Sequence, residues 1–180
     1  EQAQGAAMKT PTVSRRLVDA GKNHWVENAH LTHEPFDAHP NNPSCRVYRS
    51  TNLLTATGAM TAITFSHERW DTDAMYTPGN NYVKIQTDGI YQINGHLAWD
   101  GGGGLRVIQI HCRIGGVWWV IAEDWMEDAN IWAIAKSIGT QYKLTVADRI
   151  RLRGQQNSGG NLNIMSNARY SPELAVTRIG

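Results

Sequence analysis

Three histidines, His30, His33 and His39, stand near Glu34 and Asp37, and nitrogen and carboxylate ligands of this kind bind zinc. They lack a cysteine partner and an HExxH arrangement, and no periodic element orders them, so they read as surface or interface histidines. Asp71 and Asp73, with Glu68 close by, form an oxygen-rich loop of the type calcium uses. Calcium needs six or more oxygens, and the spacing is not that of a twelve-residue calcium loop, so turn capping or pairing with arginine is the simpler role. Glu123, Asp124, Glu127 and Asp128 make a second acidic cluster in "AEDWMEDAN". Paired carboxylates could serve glycoside hydrolysis, but the separation that chemistry requires is not readable from such a run. No serine occupies a nucleophile elbow, and both cysteines lie in strand-like segments. The chain is expected not to be an enzyme, with no cofactor and no metal.

The run "GHLAWDGGGG" at 95–104 raises a phosphate-binding loop, which needs a helix behind the glycines and a lysine followed by serine or threonine. The residues behind these glycines, "LRVIQIHCRIGG", are too β-branched and too few to be that helix. Gly101 to Gly104 are instead expected to form a hairpin tip, where positive φ values are needed.

Binding chemistry is better represented. Trp99, Trp118, Trp119, Trp125 and Trp132 lie in or beside strand-like segments. Trp118 and Trp119 are adjacent and must point to opposite faces of a regular strand, so one of them leaves its own core. It becomes either a ligand platform or a surface covered by another subunit, and the second reading is preferred. Arg149, Arg151 and Arg153 alternate in "RIRLRG", a strand face that could line an oligomer axis or pair with acids. Trp125 and Trp132, with the loops Asp100–Gly104 and Asn157–Gly160, are candidates for stacking on a glycan.

The elements that must position these groups emerge from composition and pattern. A chain of 180 residues buries one good core and is too short for two domains of ordinary size. Charged residues are 18% against roughly 25% in a typical soluble domain, so the surface is largely polar and uncharged. A net charge of +1 without a basic run leaves no electrostatic footprint for nucleic acid. No apolar stretch of the length a membrane helix needs occurs, so no membrane insertion is expected. The two cysteines, Cys45 and Cys112, do not make a disulfide framework, and their spacing does not reveal their redox state.

Residues 1–44 hold four of the seven histidines and four of the six prolines, without regular alternation. They read as an extended arm that takes its order from another surface, with a short helix over Ser14–Ala20 capped by Ser14 and stopped by Gly21. Trp25, Val26, Leu31 and Phe36 are its apolar anchors. From Cys45 onward, short runs such as "MTAITF", "YVKIQTDG", "QYKLTV" and "LAVTRI" alternate with turn signals. In "IYQINGHLAW", Tyr91, Ile93, Gly95, Leu97 and Trp99 share one face while Gln92, Asn94 and His96 share the other. Ile108, Ile110, Cys112 and Ile114 alternate likewise, Gly115 and Gly116 turn the chain, and Ile150 and Leu152 face inward between the arginines. The pattern predicts an all-β, antiparallel sandwich or barrel over residues 45–180.

The segment "FSHERWDTDAMYTPGNNYVKIQTDGIYQINGHLAW" resembles the centre of the globular heads of the complement component 1q and tumour necrosis factor superfamily, in its phage and bacterial form. The matching positions are Phe65, the Trp70–Asp71 step, Asn81 and the run "DGIYQINGHLAW". "QYKLTVADRIRLRG" is similar through Tyr142, Leu144, Asp148, Ile150 and Leu152, and "SPELAVTRIG" resembles the closing strand of phage-type members. The aromatic-and-glycine ending usual in the complement proteins is lacking, which speaks against an animal immune or hormone role. The resemblance implies a jelly roll of about ten strands, a tight homotrimer and a binding or structural role without catalysis. Calcium is bound by some of the family, and no ligand position is carried over.

Together these readings predict a homotrimeric phage virion surface protein, a capsid decoration protein or short fibre. Its partner is the major capsid protein or another virion protein, reached through residues 1–44. The alternative is an extracellular or tail-fibre head that recognises a host surface glycan.

Overall fold

The computed structural model describes the backbone of residues 16–19 and 22–25, and residues 42–128, 133–167 and 170–180. Contacts divide the chain into two compact units, Glu1–Pro40 and Asn41–Gly180. Within the first, β1 (Arg16–Asp19) and β2 (Lys22–Trp25) pair antiparallel, from Arg16 opposite Trp25 to Asp19 opposite Lys22. This overturns the helix expected over Ser14–Ala20. An isolated helix of two turns is marginal in water, and β-branched Val18 serves a strand at least as well. Of the arm anchors, Trp25 falls in β2, while Val26, Leu31 and Phe36 lie outside the described residues.

The second unit is a sandwich of two antiparallel sheets, and its described residues contain no helix. Its strands are β3 (Ser44–Tyr48), β4 (Leu53–Thr55), β5 (Thr61–Ala62), β6 (His67–Asp71), β7 (Val83–Lys84) and β8 (Gly89–Trp99). They continue with β9 (Gly104–Ile114), β10 (Val117–Asp128), β11 (Ile134–Leu144), β12 (Arg149–Asn157), β13 (Leu162–Ile164) and β14 (Glu173–Arg178). One sheet runs β4-β13-β8-β14-β3-β6, with β11 on the other side of β8. The second runs β10-β9-β12-β5, with β7 also on β12. Of the sandwich and the barrel that the alternating runs allowed, the sandwich is present, with the short β4, β5, β7 and β13 supplementing the longer strands.

The period-2 pattern places the core. Tyr91, Ile93, Leu97 and Trp99 of β8 face Ile108, Ile110 and Cys112 of β9 and Ile150 and Leu152 of β12, all fully buried. Gly95 keeps its place in that inward row because a Cβ there would sit 2.5 Å from Leu152 Cδ1. Ile114, in phase with the inward row of β9, is partly exposed because the strand ends there at the turn. Gly115 and Gly116, with φ of 57° and 89°, make the two-residue β9–β10 hairpin that requires positive φ at both positions.

The four-glycine run is not a hairpin tip. β8 and β9 belong to different sheets, so Gly101–Gly104 carry the chain from one layer of the sandwich to the other. Arg106, in the inward phase of β9 and fully buried, explains the composition of the crossing. Its guanidinium donates to the carbonyls of Gly102, Gly103, Gly104 and Leu105, so the loop wraps a cation whose donors need backbone oxygens at close range. Glycine permits this approach because it adds no Cβ and tolerates φ of 127° at 102 and 100° at 104.

Candidate functional site

Three surfaces of the sandwich gather the residues singled out from sequence, together with several that were missed. The first is the open edge where the two sheets end in β10 and β11. Register places Trp119 opposite Cys112, on the core side of β10, yet Trp119 is 58% exposed because β10 is the last strand of its sheet among the described residues. Ile121 and Ala122 of β10 and Ile138 and Tyr142 of β11 pack against the core while remaining partly open to solvent. The edge is bridged by Lys136 of β11 and Asp124 of β10, with Nζ 2.6 Å from Oδ2. Trp118 points the other way, so the adjacent tryptophans do occupy opposite faces.

The acidic run of β10 is divided in the same manner. Asp124 turns to the edge and Glu123 to the outer face, where Gln109 Nε2 donates to it. Lying on a strand, neighbouring carboxylates face away from each other and do not form a facing pair.

The second surface is the outer face of the five-stranded sheet. Arg149, Arg151 and Arg153 emerge between buried Ile150 and Leu152, and register sets Arg113 beside Arg149, His111 beside Arg151 and Gln109 beside Arg153. Lys84 stands on the other flank of Arg149. The guanidinium of Arg151 lies 3.8 Å from the centre of the Trp118 ring, and that of Arg149 lies 4.5 Å from the Tyr82 ring. Arg153 donates to the carbonyl of Met60, and Arg113 to that of Gly116. His111 Nε2 meets Gln109 Oε1 at 2.7 Å, continuing a chain that ends on Glu123. Burial, together with the charges of Arg153 and Arg151, lowers the His111 pKa to about 4. A recess of about 470 Å³ opens at the end of this face between Arg113 and Arg149, lined also by Gly115, Gly116 and the Thr145–Asp148 loop. Arg113, His111, Tyr82 and Lys84 were missed from sequence. The "HCRIGGVW" hairpin could have supplied Arg113, because a two-residue turn sets its outward phase.

The third surface is the outer face of the seven-stranded sheet, a depression of about 410 Å³ lined by Arg46, Asn94, His96, Ser137 and Glu173 among others. Ser137, His96 and Glu173 stand in register across β11, β8 and β14, and Ser137 Oγ lies 3.0 Å from His96 Nδ1. The row has the residue types of a serine-nucleophile triad without its bonding. The two oxygens of Glu173 take Arg46 and Arg69, so no carboxylate–imidazole bond orients a base. Burial lowers the His96 pKa, which keeps the imidazole neutral as a hydrogen-bonding partner.

Other residues singled out from sequence take structural roles or stand apart. Asp71 receives the backbone N–H groups of Asp73, Met75 and Tyr76, as a turn-capping carboxylate does. The loops Asp100–Gly104 and Asn157–Gly160 do come together: a Cβ at Gly102 would lie 3.7 Å from Ser158 Cβ. Trp125 is 64% exposed and Trp132 lies outside the described residues. Among the described residues, no helix is long and apolar enough to cross a membrane.

No protein-family model matches the chain. No curated protein matches it either. Solved structures do. Murine APRIL at pH 5.0 superposes with a TM-score of 0.61 at 9% identity, covering 77% of this chain and 99% of that one. Eiger TNF from S. frugiperda gives 0.58 at 11% identity, covering 77% and 93%. The globular domain of zebrafish complement 1qA protein gives 0.51 at 14% identity, covering 75% and 93%. The fold is therefore the jelly roll of the tumour necrosis factor and complement 1q heads, and at these identities the likeness extends to the fold alone.

Proposed function

We propose that the protein is a non-enzymatic, homotrimeric head on the surface of a phage virion, a capsid decoration protein or short fibre attached through its N-terminal residues. The observation that carries the oligomeric part is the unfinished edge at β10 and β11. A sandwich that leaves Ile121, Ala122, Ile138 and Tyr142 partly wet, and Trp119 more than half exposed, gains by covering that edge with another subunit. Since every copy carries the same edge, a closed ring buries it in all subunits at once. The likeness of the fold to the tumour necrosis factor and complement 1q heads supports the same reading. The attachment part draws on the separate unit Glu1–Pro40 and on the histidine- and proline-rich composition of the arm.

Light scattering coupled to size-exclusion chromatography tests the assembly: a trimer is expected, and a monomer at micromolar concentration overturns it. Chain lacking residues 1–40 is expected to remain a folded trimer while failing to bind particles stripped of the protein. Full decoration by the truncated head rejects the anchor, and electron microscopy of the parent particle distinguishes capsid from fibre.

A further inference from the structure

The outer face of the five-stranded sheet concentrates cations in a chain whose net charge is only +1. Lys84, Arg113, Arg149, Arg151 and Arg153 occupy adjoining positions of β7, β9 and β12. The ion pairs among the described residues join Arg46 and Arg69 to Glu173 and Lys136 to Asp124, and involve none of these five. Glu123, the acid in register with this array, is engaged by Gln109. Asp148, at the rim of the recess, is taken by the N–H and hydroxyl of Thr145. Like charges packed side by side without an ion-pairing acid do not help a sheet to fold. Burial, then the proximity of Arg153 and Arg113, pushes the Arg151 pKa down, so repulsion from its neighbours adds to the cost of burying the charge. A sequence that keeps such a conflict places it where a ligand resolves it.

We propose that this face binds an acidic polysaccharide, whose carboxylate or sulfate groups are taken by Arg113, Arg149, Arg151 and Arg153. Alternate residues on a strand are about 6.7 Å apart, so the three arginines of β12 span roughly 13 Å. That row suits a polymer with repeated anions better than a single ion, while the recess between Arg113 and Arg149 seats one group more deeply. The guanidinium groups of Arg151 and Arg149 lie over the Trp118 and Tyr82 rings, and a guanidinium fixed over an aromatic face can still offer terminal N–H donors to carboxylate or sulfate. The same stacking argues against single-stranded nucleic acid, because rings already covered by arginine are not platforms for bases. Apart from Trp118 on the outer side of β10, the arginine face is built from β7, β9, β12 and Tyr82, and the core-side residues of the β10/β11 edge and the arm take no part in it.

The test is calorimetric titration of the full chain with polygalacturonate and, separately, with a heparin oligosaccharide, at low and at physiological salt. The two arms distinguish carboxylate from sulfate. Binding of at least one that weakens with added NaCl is expected, and the double variant Arg151→Gln, Arg153→Gln should lower its affinity at least tenfold. Lys143→Gln, on the outer side of β11 in the other sheet, should bind within twofold of the parent. If the double variant does not fold, Arg113→Gln at the exposed turn replaces it, with a loss of at least threefold expected. The proposal is overturned if neither polymer binds, if the arginine variants bind like the parent, or if Lys143→Gln loses as much. Tighter binding of a single-stranded oligonucleotide, or loss of the oligomer in the arginine variants, would reassign the face to nucleic acid or to a second copy of the chain.

Discussion

Glu173 on β14 accepts Arg46 from β3 on one carboxylate oxygen, with Nε at 2.7 Å, and gives its other oxygen to Arg69 of β6, with Nε at 2.9 Å. Arg46 also lies over the Trp70 ring and Arg69 over the Tyr48 ring, so one acid ties three strands of the seven-stranded sheet together. Burial on its own would raise the pKa of Glu173, but the hydrogen bonds and charges of Arg69 and Arg46 outweigh it and hold the carboxyl below its ordinary value. A lowered folded-state pKa contributes stability that is present above the ordinary value of 4.5 and lost as pH falls through the folded value. Glu173→Gln should therefore cost about 1–3 kcal/mol near neutral pH. The variant should also show a shallower decline in acid than the parent. Urea melts at pH 7 and pH 3.5 check this, and equal destabilisation at both pH values would contradict it.

The glycine crossing gives a sharper contrast. Gly104 has a φ of 100°, and a Cβ there would lie 2.1 Å from the carbonyl oxygen of Asn157. Backbone strain and collision with a backbone atom act together, so Gly104→Ala should cost roughly 2–6 kcal/mol. Gly115 also has positive φ, at 57°, but a Cβ meets nothing within 4 Å. Gly115→Ala should lose only about 1–2 kcal/mol, the cost of a left-handed conformation for an L-residue. Thermal melts of the two variants decide the matter; similar losses would mean that the crossing is not packed as described.

His111 predicts a second acid dependence in a different window. Its folded pKa of about 4 lies below the ordinary histidine value of 6.5, so the unfolded chain takes up a proton that the folded chain resists. The associated stability is complete above pH 6.5 and is lost as pH falls towards 4. Burial is the largest cause, and the charges of Arg153 and Arg151 add to it. His111→Gln should flatten the stability profile between those two pH values, while Glu173→Gln acts mainly below them. The C2 proton of His111 tracked by NMR gives an independent readout, and titration at an ordinary histidine pKa would reject the buried environment.

The alternating runs were legible because a sheet with one wet face writes its burial into every second residue. Tyr91 to Trp99 and Ile108 to Cys112 carry that pattern, and their inward residues lie in the core. Partnership between strands distant in sequence could not be read. Gly101–Gly104 looked like a hairpin because glycine marks any tight change of direction, and only the sheet assignment shows that β8 and β9 lie in different layers. Arg106, a charge in the inward phase two residues before Ile108, was the local sign that this loop has something to enclose. The arginine face was half visible. Arg149, Arg151 and Arg153 alternate in one strand, whereas Arg113 joins them through a pairing that spans more than thirty residues.

The cysteines supply the last prediction. Cys45 lies on β3 and Cys112 on β9, in different sheets, and both are free and fully buried in the core. Burial, then the Asp148 carboxylate, pushes the Cys112 thiol up to about 12. Burial, then Asp71 and Glu68, raises Cys45 as well. Because the thiolate is the reactive species, both groups are protected twice, by exclusion of reagent and by suppression of the nucleophile. At pH 8 a disulfide reagent such as DTNB should thus label neither cysteine in the native protein on the timescale of minutes, and both after guanidinium is added without reductant. Labelling in mild denaturant should track the unfolding transition, since both thiols belong to one core and open with it. Rapid release of one equivalent from native protein would show that a core position is open, and the absence of reactive thiols in the denatured chain would show a disulfide in place of two free cysteines.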